Sequence, residues 1–273
     1  MRIITFQGGL GNQLFQYVFY LWLKKNTKNK RIWGYYPISG LKGHNGLEIE
    51  EKFKVKLPAS NKVISIYVIL IKALNVILPK WKLISNDYSF DINSILYEGY
   101  WQDISFLIEN FNIEFILPSK LDLVNEDLKN KILKMNSVSI HVRCGDYLSP
   151  KYVSIYGGIC TIEYYKRAIE YIIQTVDNPT FFVFSDDIEW VKNNITVNNA
   201  IFVSNNNGIN SFLDMYLMSI CKHNIIANSS FSWWGAYLNK NKNKIVIMPN
   251  KWFNSKLPDP NVFDNKWLKL SNE

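Results

Sequence analysis

A histidine, an arginine and an aspartate come close together in Ser137-Val-Ser-Ile-His-Val-Arg-Cys-Gly-Asp-Tyr147. Val138, Ile140 and Val142 are β-branched and predict a short buried strand. His141, Arg143 and Asp146 fall at and just beyond its C-terminal end, and Gly145 permits a turn there. In open α/β sheets ligands bind beyond the carboxyl ends of the strands. An arginine fixed at such a point suits a phosphate, because its planar fork donates two charge-assisted hydrogen bonds at once. The alternative is an Arg–Asp pair that only steadies a loop.

Two more polar groups follow predicted strands. Ser185-Asp186-Asp187 ends one, and Asn228-Ser-Ser-Phe-Ser-Trp-Trp234 ends another. Ser229 and Ser230 precede a predicted helix through Leu238, and free amides at a helix start together with two hydroxyls suit a phosphate. An aspartate such as Asp186 can accept from both N1–H and N2–H₂ of a guanine. Helix capping by Ser229, Ser230 or Asp186 is the competing use. Near the N-terminus, Gly8-Gly-Leu-Gly-Asn-Gln13 follows a strand at Ile3–Phe6 and opens a helix carrying Leu14, Phe15, Val18, Phe19, Leu21 and Trp22. The G-x-G-x-x-G pattern fails at Leu14, and the Lys of a P-loop is missing. What remains is a loop whose backbone, at Gly9 and Gly11, and the Asn12 side chain can approach a ligand closely, or a tight turn with no ligand.

These groups need elements to hold them. From residue 137 onward, strands at 180–185, 200–203, 224–228 and 244–249 alternate with helices. One helix is capped by Thr161, a short one begins at Asp186-Asp187, and one starts at the capping pair Ser211/Asp214. With the 137–142 strand that makes five, the pattern of a parallel, doubly wound α/β sheet. Residues 31–60 are less regular, with aromatic side chains at Trp33, Tyr35 and Tyr36. A polar helix from Pro118 to Lys134 marks a composition shift and places the domain boundary between 1–135 and 136–273.

The chain has 273 residues, 48% hydrophobic and 20% charged, as expected of a core-forming protein. Its net charge of +8 suits an anionic substrate, nucleic acid or an anionic membrane. The basic residues are scattered, which argues against a nucleic-acid stripe. Cys144, Cys160 and Cys221 have no metal-site spacing, and a reducing cytosol is their simplest home. No signal peptide precedes the first strand. The apolar run Val63–Leu78, broken by Lys72 and Asn75, is too short to span a bilayer comfortably and reads as a buried helix rather than a membrane-lying one. The expectation is a soluble protein.

Gly8-Gly-Leu-Gly-Asn-Gln-Leu-Phe-Gln-Tyr17, His141-Val-Arg-Cys-Gly-Asp-Tyr147, Phe184-Ser-Asp-Asp187 and Asn228-Ser-Ser-Phe-Ser-Trp-Trp234 come in the order and spacing of the bacterial α1,2-fucosyltransferases of glycosyltransferase family 11, which the chain resembles from its first strand to about Leu238. The resemblance implies a GT-B-type enzyme with two Rossmann-like domains facing a cleft, an acceptor side in 1–135 and a GDP-fucose side in 136–273. It implies transfer of L-fucose with inversion to the 2-OH of a terminal β-galactoside in a surface polysaccharide, with no cofactor and no required metal. Arg143 matches the arginine on the donor β-phosphate, His141 lies near the nucleotide, and Asp186 resembles the carboxylate that reads guanine. Ser229, Ser230 and Phe231 resemble the diphosphate and nucleotide contacts, with Ser185, Asn228, Gly9 and Gly11 in the same binding motifs. Asn12 resembles the loop asparagine near the transferred sugar in protein O-fucosyltransferases. The family pattern H-x-R-R-x-D is broken at Cys144, which leaves one cation fewer. Asp146 is the candidate general base, although a carboxylate beside Arg143 is a weak base and could serve only to orient it. A different acceptor or linkage, or a non-catalytic binding homologue, stay open. The expected location is cytoplasmic, with room for peripheral contact with the inner face of the membrane.

Overall fold

The computed structural model describes residues 1–28, 31–109, 111–144, 147, 149–254 and 258–271. The chain divides into two compact units, Met1–Ile116 with Pro260–Val262, and Leu117–Asp259 with Phe263–Glu273.

The first unit is built on a four-stranded sheet of β1 (Arg2–Thr5), β2 (Ile32–Tyr35), β3 (Ile84–Ser85) and β4 (Leu96–Tyr97), in the order β2-β1-β4-β3 with every pairing parallel. α1 (Leu10–Asn26) follows β1 directly; Leu14, Phe15, Val18 and Phe19 are fully buried, while Lys24 and Lys25 sit in its last turn, where cations complement the helix dipole. Phe19 stacks on Trp101 with centroids 3.9 Å apart and meets Phe106 edge-on at 4.7 Å. Short α2 (Ile38–Leu41) and α3 (Ile49–Lys52) follow β2, and α4 (Lys62–Ile77) precedes β3. β2 lies in the stretch that reads as irregular, and β3 and β4 are two residues each, too short to give a period.

α4 departs from its expected burial. Only Ile64, Val68 and Ile71 are buried, packed over Ile3 and Leu96. Val63, Ile66, Tyr67, Ile69, Leu70, Leu74, Val76 and Ile77 all face outward. The helix is apolar nearly all round, but the sheet covers one side of it alone.

In the second unit α5 (Leu123–Lys134) leads into β5 (Asn136–Val142); α6 (Val153–Tyr156) and α7 (Ile162–Thr175) precede β6 (Pro179–Ser185). α8 (Ile188–Asn194), β7 (Ala200–Val203), α9 (Phe212–Ile220), β8 (His223–Ile225), α10 (Ser230–Tyr237), β9 (Val246–Pro249) and β10 (Leu268–Leu270) complete it. All six strands pair in parallel in the order β10-β9-β8-β5-β6-β7. The first strand of the unit is therefore central, and the connections reverse between β5 and β8, a doubly wound sheet with one switch point. The sixth strand, β10, is the one that the periodicity does not show. Val138, Ile140, Phe181 and Val183 are buried with Tyr164, Tyr165, Ile169 and Ile172 of α7, the continuous apolar runs of a sheet covered on both faces.

The unit boundary falls after Ile116 rather than after residue 135. α5 belongs to the second unit because Asn125 and Asn206 exchange side-chain hydrogen bonds of 2.8 and 2.9 Å, and Asn206 donates onward to Asp214 at 2.7 Å. That also corrects the Ser211/Asp214 capping pair: Ser211 makes no side-chain cap, and the Asp214 carboxylate is spent on Asn206.

Candidate functional site

The parallel register sets the site in the second unit. Val142 of β5 lies opposite Ser185 of β6, so the next residues, Arg143 and Asp186, leave the sheet side by side. Arg143 Nη1 is 3.5 Å from Asp186 Oδ2, and the Cys144 main-chain N–H donates to Asp186 Oδ1 at 3.0 Å. Asp186 does not cap α8; Asp187 does, accepting from the Trp190 N–H at 2.9 Å, while Ser185 Oγ accepts from the Asp187 N–H. The capping work falls to Asp187 and leaves Asp186 beside the arginine.

On the other side of the switch point, β8 runs into Asn228, Ser229 and Ser230, and Ser229 is the N-cap of α10 without spending its hydroxyl on a cap. Phe231 in the first turn lies 5.8 Å, ring to ring, from His141. The Arg143 guanidinium lies over the Tyr147 ring at 5.6 Å, and Tyr147 donates to the Asn228 carbonyl at 3.0 Å, so one side chain ties the arginine to the β8–α10 turn. Tyr147 also stacks on Tyr156 at 4.8 Å. Arg143, Cys144, Tyr147, Tyr156, Cys160 and Trp190 line a recess there.

Asn228, expected among the donor contacts, bonds to the protein around it. Its amide donates to the carbonyls of Tyr156 and Trp252 and its oxygen accepts from the Cys160 thiol, so it holds the loops around the recess. His141 is 5% exposed. Burial, then the charge of Arg143, lowers its pKa to about 4 against a smaller raising pull from Asp186. The ring is therefore neutral at ordinary pH, and its Nδ1 has no hydrogen-bond partner among the described residues. The Cys144 thiol is buried in the core, 3.6 Å from Ser185 Oγ, and burial pushes it up to about 11. The position where the family pattern has a second arginine here holds a buried, neutral side chain. Asp146 lies outside the described residues.

The first unit forms a second polar region at the ends of its strands. Gly9 is the N-cap of α1, and Gly8 has φ +76°; a Cβ on Gly8 would come 2.7 Å from Asn12 Nδ2 and 3.0 Å from the Tyr100 ring. Gln102 Nε2 donates to Asn12 Oδ1 at 2.8 Å, so the asparagine is held from the β4 side. Gly11 is buried inside the first turn of α1. The sequence gives no weight to Gln13 and Gln16, yet they organise the region. Gln13 donates to the carbonyls of Gly8 and Gly46 and accepts from the amides of Glu48 and Ile49, and Gln16 accepts from the Gln7 N–H and donates to the Gly99 carbonyl. Their signal was there: two carboxamides three apart on the buried face of an apolar helix must find partners. No group of three or more His, Cys, Asp or Glu side chains suited to a metal occurs among the described residues.

The chain is similar to known proteins over most of its length. It is 36% identical to an alpha-1,2-colitosyltransferase of Escherichia coli and 31% identical to the O-antigen biosynthesis glycosyltransferase WbnK of the same organism; the matches cover 96% of this chain in each case, and 96% and 98% of the relatives. Among solved structures, the fucosyltransferase NodZ from Bradyrhizobium superposes with a TM-score of 0.50 at 14% identity, over 87% of this chain and 92% of that one. That likeness concerns the fold, two parallel-sheeted α/β units of the GT-B type. The sequence model of glycosyl transferase family 11 matches residues 49–271, from α3 through β10, and with the switch-point residues inside that span the chain belongs to this family.

Proposed function

We propose that the protein is an inverting glycosyltransferase that moves L-fucose from GDP-fucose to the 2-OH of a terminal β-galactoside, with no metal needed. One observation carries the donor side: at the switch point Arg143 stands beside Asp186 and is tied through Tyr147 to the turn that starts α10. Cleavage of the C1–O bond leaves negative charge on the diphosphate. The Arg143 fork, the amides at the start of α10 and the Ser229 hydroxyl would stabilise that charge where it develops. Asp186, held by the Cys144 amide, would accept from the guanine edge. Neutral His141, with its unpartnered Nδ1, would hydrogen-bond the nucleotide without adding charge. An acceptor hydroxyl would attack C1 from the face opposite the leaving group, giving up its proton to a base as the new bond forms and the C1–O bond to GDP breaks.

A second reading, supported by the 36% identity to a colitosyltransferase, keeps this chemistry and changes the sugar. Colitose is L-fucose without its 3-hydroxyl, so the two donors differ by one polar group. The experiment is GDP release from each GDP-sugar, with EDTA present, against lactose, N-acetyllactosamine and no acceptor, in wild type and Arg143→Ala. Lactose-dependent release from GDP-fucose that persists in EDTA and is lost in the variant supports the first reading, and NMR of the product then gives the linkage. Turnover of the 3-deoxy donor alone supports the second. Donor binding without turnover on any acceptor overturns the galactoside assignment, and failure to bind either donor overturns both readings.

A further inference from the structure

We infer that the outward face of α4 docks the first unit on an anionic lipid surface. α4 is a helix of 16 residues whose Asn61 N-cap accepts from the amides of Val63 and Ile64, so it is a well-terminated, rigid element. Its sheet-facing stripe is narrow, and the opposite half of the helix is aliphatic where a solvated helix carries charge. Ile69 is 66% exposed, Ile77 is 72% exposed, and Trp81 just beyond the C-terminus is 68% exposed. Such a contiguous apolar face marks an interaction surface rather than ordinary scatter.

Charge selects the occupant. Lys62 and Lys72 lie on the helix, Lys80 and Lys82 flank Trp81, and no aspartate or glutamate occurs anywhere between Lys52 and Asn86. Lys72 is paired with Glu98 at 2.8 Å. A second copy of the chain would bring Lys62, Lys80 and Lys82 against the same lysines across a two-fold interface, a like-charge arrangement that Glu98 relieves at Lys72. An anionic bilayer offers acyl chains to the aliphatic face and headgroup phosphates to the lysines. A tryptophan between two lysines suits the headgroup level. No helix among the described residues is long and apolar enough to cross a membrane, so the contact would be in the plane of the interface.

The test is co-sedimentation of the full chain with phosphatidylcholine vesicles and with vesicles that also contain about 30% phosphatidylglycerol. Binding to the anionic vesicles, weakened by salt and slight on phosphatidylcholine alone, is expected. The triple variant Ile66→Gln, Ile69→Gln, Ile77→Gln should bind at least about a hundredfold more weakly, since each side chain loses its apolar transfer. Lys80→Ala with Lys82→Ala should weaken binding about thirtyfold without touching the helix. Both variants should release GDP with a soluble acceptor as the wild type does, so a failure here and a failure of the transferase reading are separable. Absence of binding to anionic vesicles, or unchanged binding by both variants, would overturn the inference. So would a wild-type dimer in sedimentation equilibrium that the triple variant renders monomeric, since a second copy would then cover this face.

Discussion

The two units solve the same positioning problem by different physics. Each must hold irregular backbone at the C-terminal ends of parallel strands. The first unit uses uncharged carboxamides: Gln13 and Gln16, both fully buried, reach the loops after β1, β2 and β4 through six hydrogen bonds to main chain. The second uses charge, an Arg143–Asp186 pair cross-braced by a main-chain amide and an aromatic ring. Buried amides give rigidity that pH and salt barely reach, because nothing in them titrates. A partly exposed ion pair gives less stability, but sets a guanidinium, a planar fork of the kind that suits an anion, at the end of a strand. Scaffold and chemistry are thus assigned to different residue types.

The sharpest test of that contrast is Arg143→Ala. Activity should fall by about 10²–10³-fold or more, as when one donor is removed from a charge-stabilising site, with only a small change in the urea midpoint. Arg143→Lys should recover little of it, because the ammonium keeps the charge and loses the fork. Gln13→Leu should do the opposite. It orphans two carbonyls and two amides in the first unit, so denaturation should show a loss of about 2–4 kcal/mol that added salt does not alter. A loss under about 0.5 kcal/mol would mean that water replaces the carboxamide and the contrast fails.

Asp186→Asn preserves an acceptor for the Cys144 amide and removes the charge. Stability should change by less than about 1 kcal/mol, whereas KM for the donor should rise about tenfold if the carboxylate reads the nucleotide. An unchanged KM would reduce Asp186 to a support for Arg143. The remaining test concerns stability alone and Asp214, whose carboxyl is pushed up to about 7 by burial against a smaller lowering pull from its hydrogen bond to Asn206. A carboxyl with a raised native pKa holds its proton in the folded state and loses it in the unfolded state. Stability should therefore decline as pH rises from the ordinary carboxylate range towards about 7 and then level off. Melting scans should show that decline over the same window, absent in Asp214→Asn.

The second unit was largely legible in the sequence because its signals are periodic and charged. Val138, Ile140 and Val142 alternate, Phe181-Phe-Val-Phe184 is a continuous run, and an arginine or aspartate at a strand end is conspicuous. The first unit was not. β3 and β4 are two residues each and take their identity from neighbours, which local pattern cannot report. Gln13 and Gln16 matter through partners up to 83 residues away. α4 misled for a related reason: an all-round apolar helix implies burial only when something covers each side, and only one side is covered here. The β10 strand and the α5 boundary depend on tertiary partners in the same way.

The pairing of β5 with β8 has a kinetic meaning as well. It joins Val138 to His223 and Ser139 to Asn224, whose side chains bond across 85 residues of chain. Arg143 and the α10 turn meet only when that loop has closed, so the strand-end site cannot exist in a half-folded unit. Loop closure of this span and a sheet of wholly parallel pairings place the second unit among slow folders. A nucleotide that recognises the closed site would then bind only chains that have finished folding, and its uptake during refolding would time the last step of assembly.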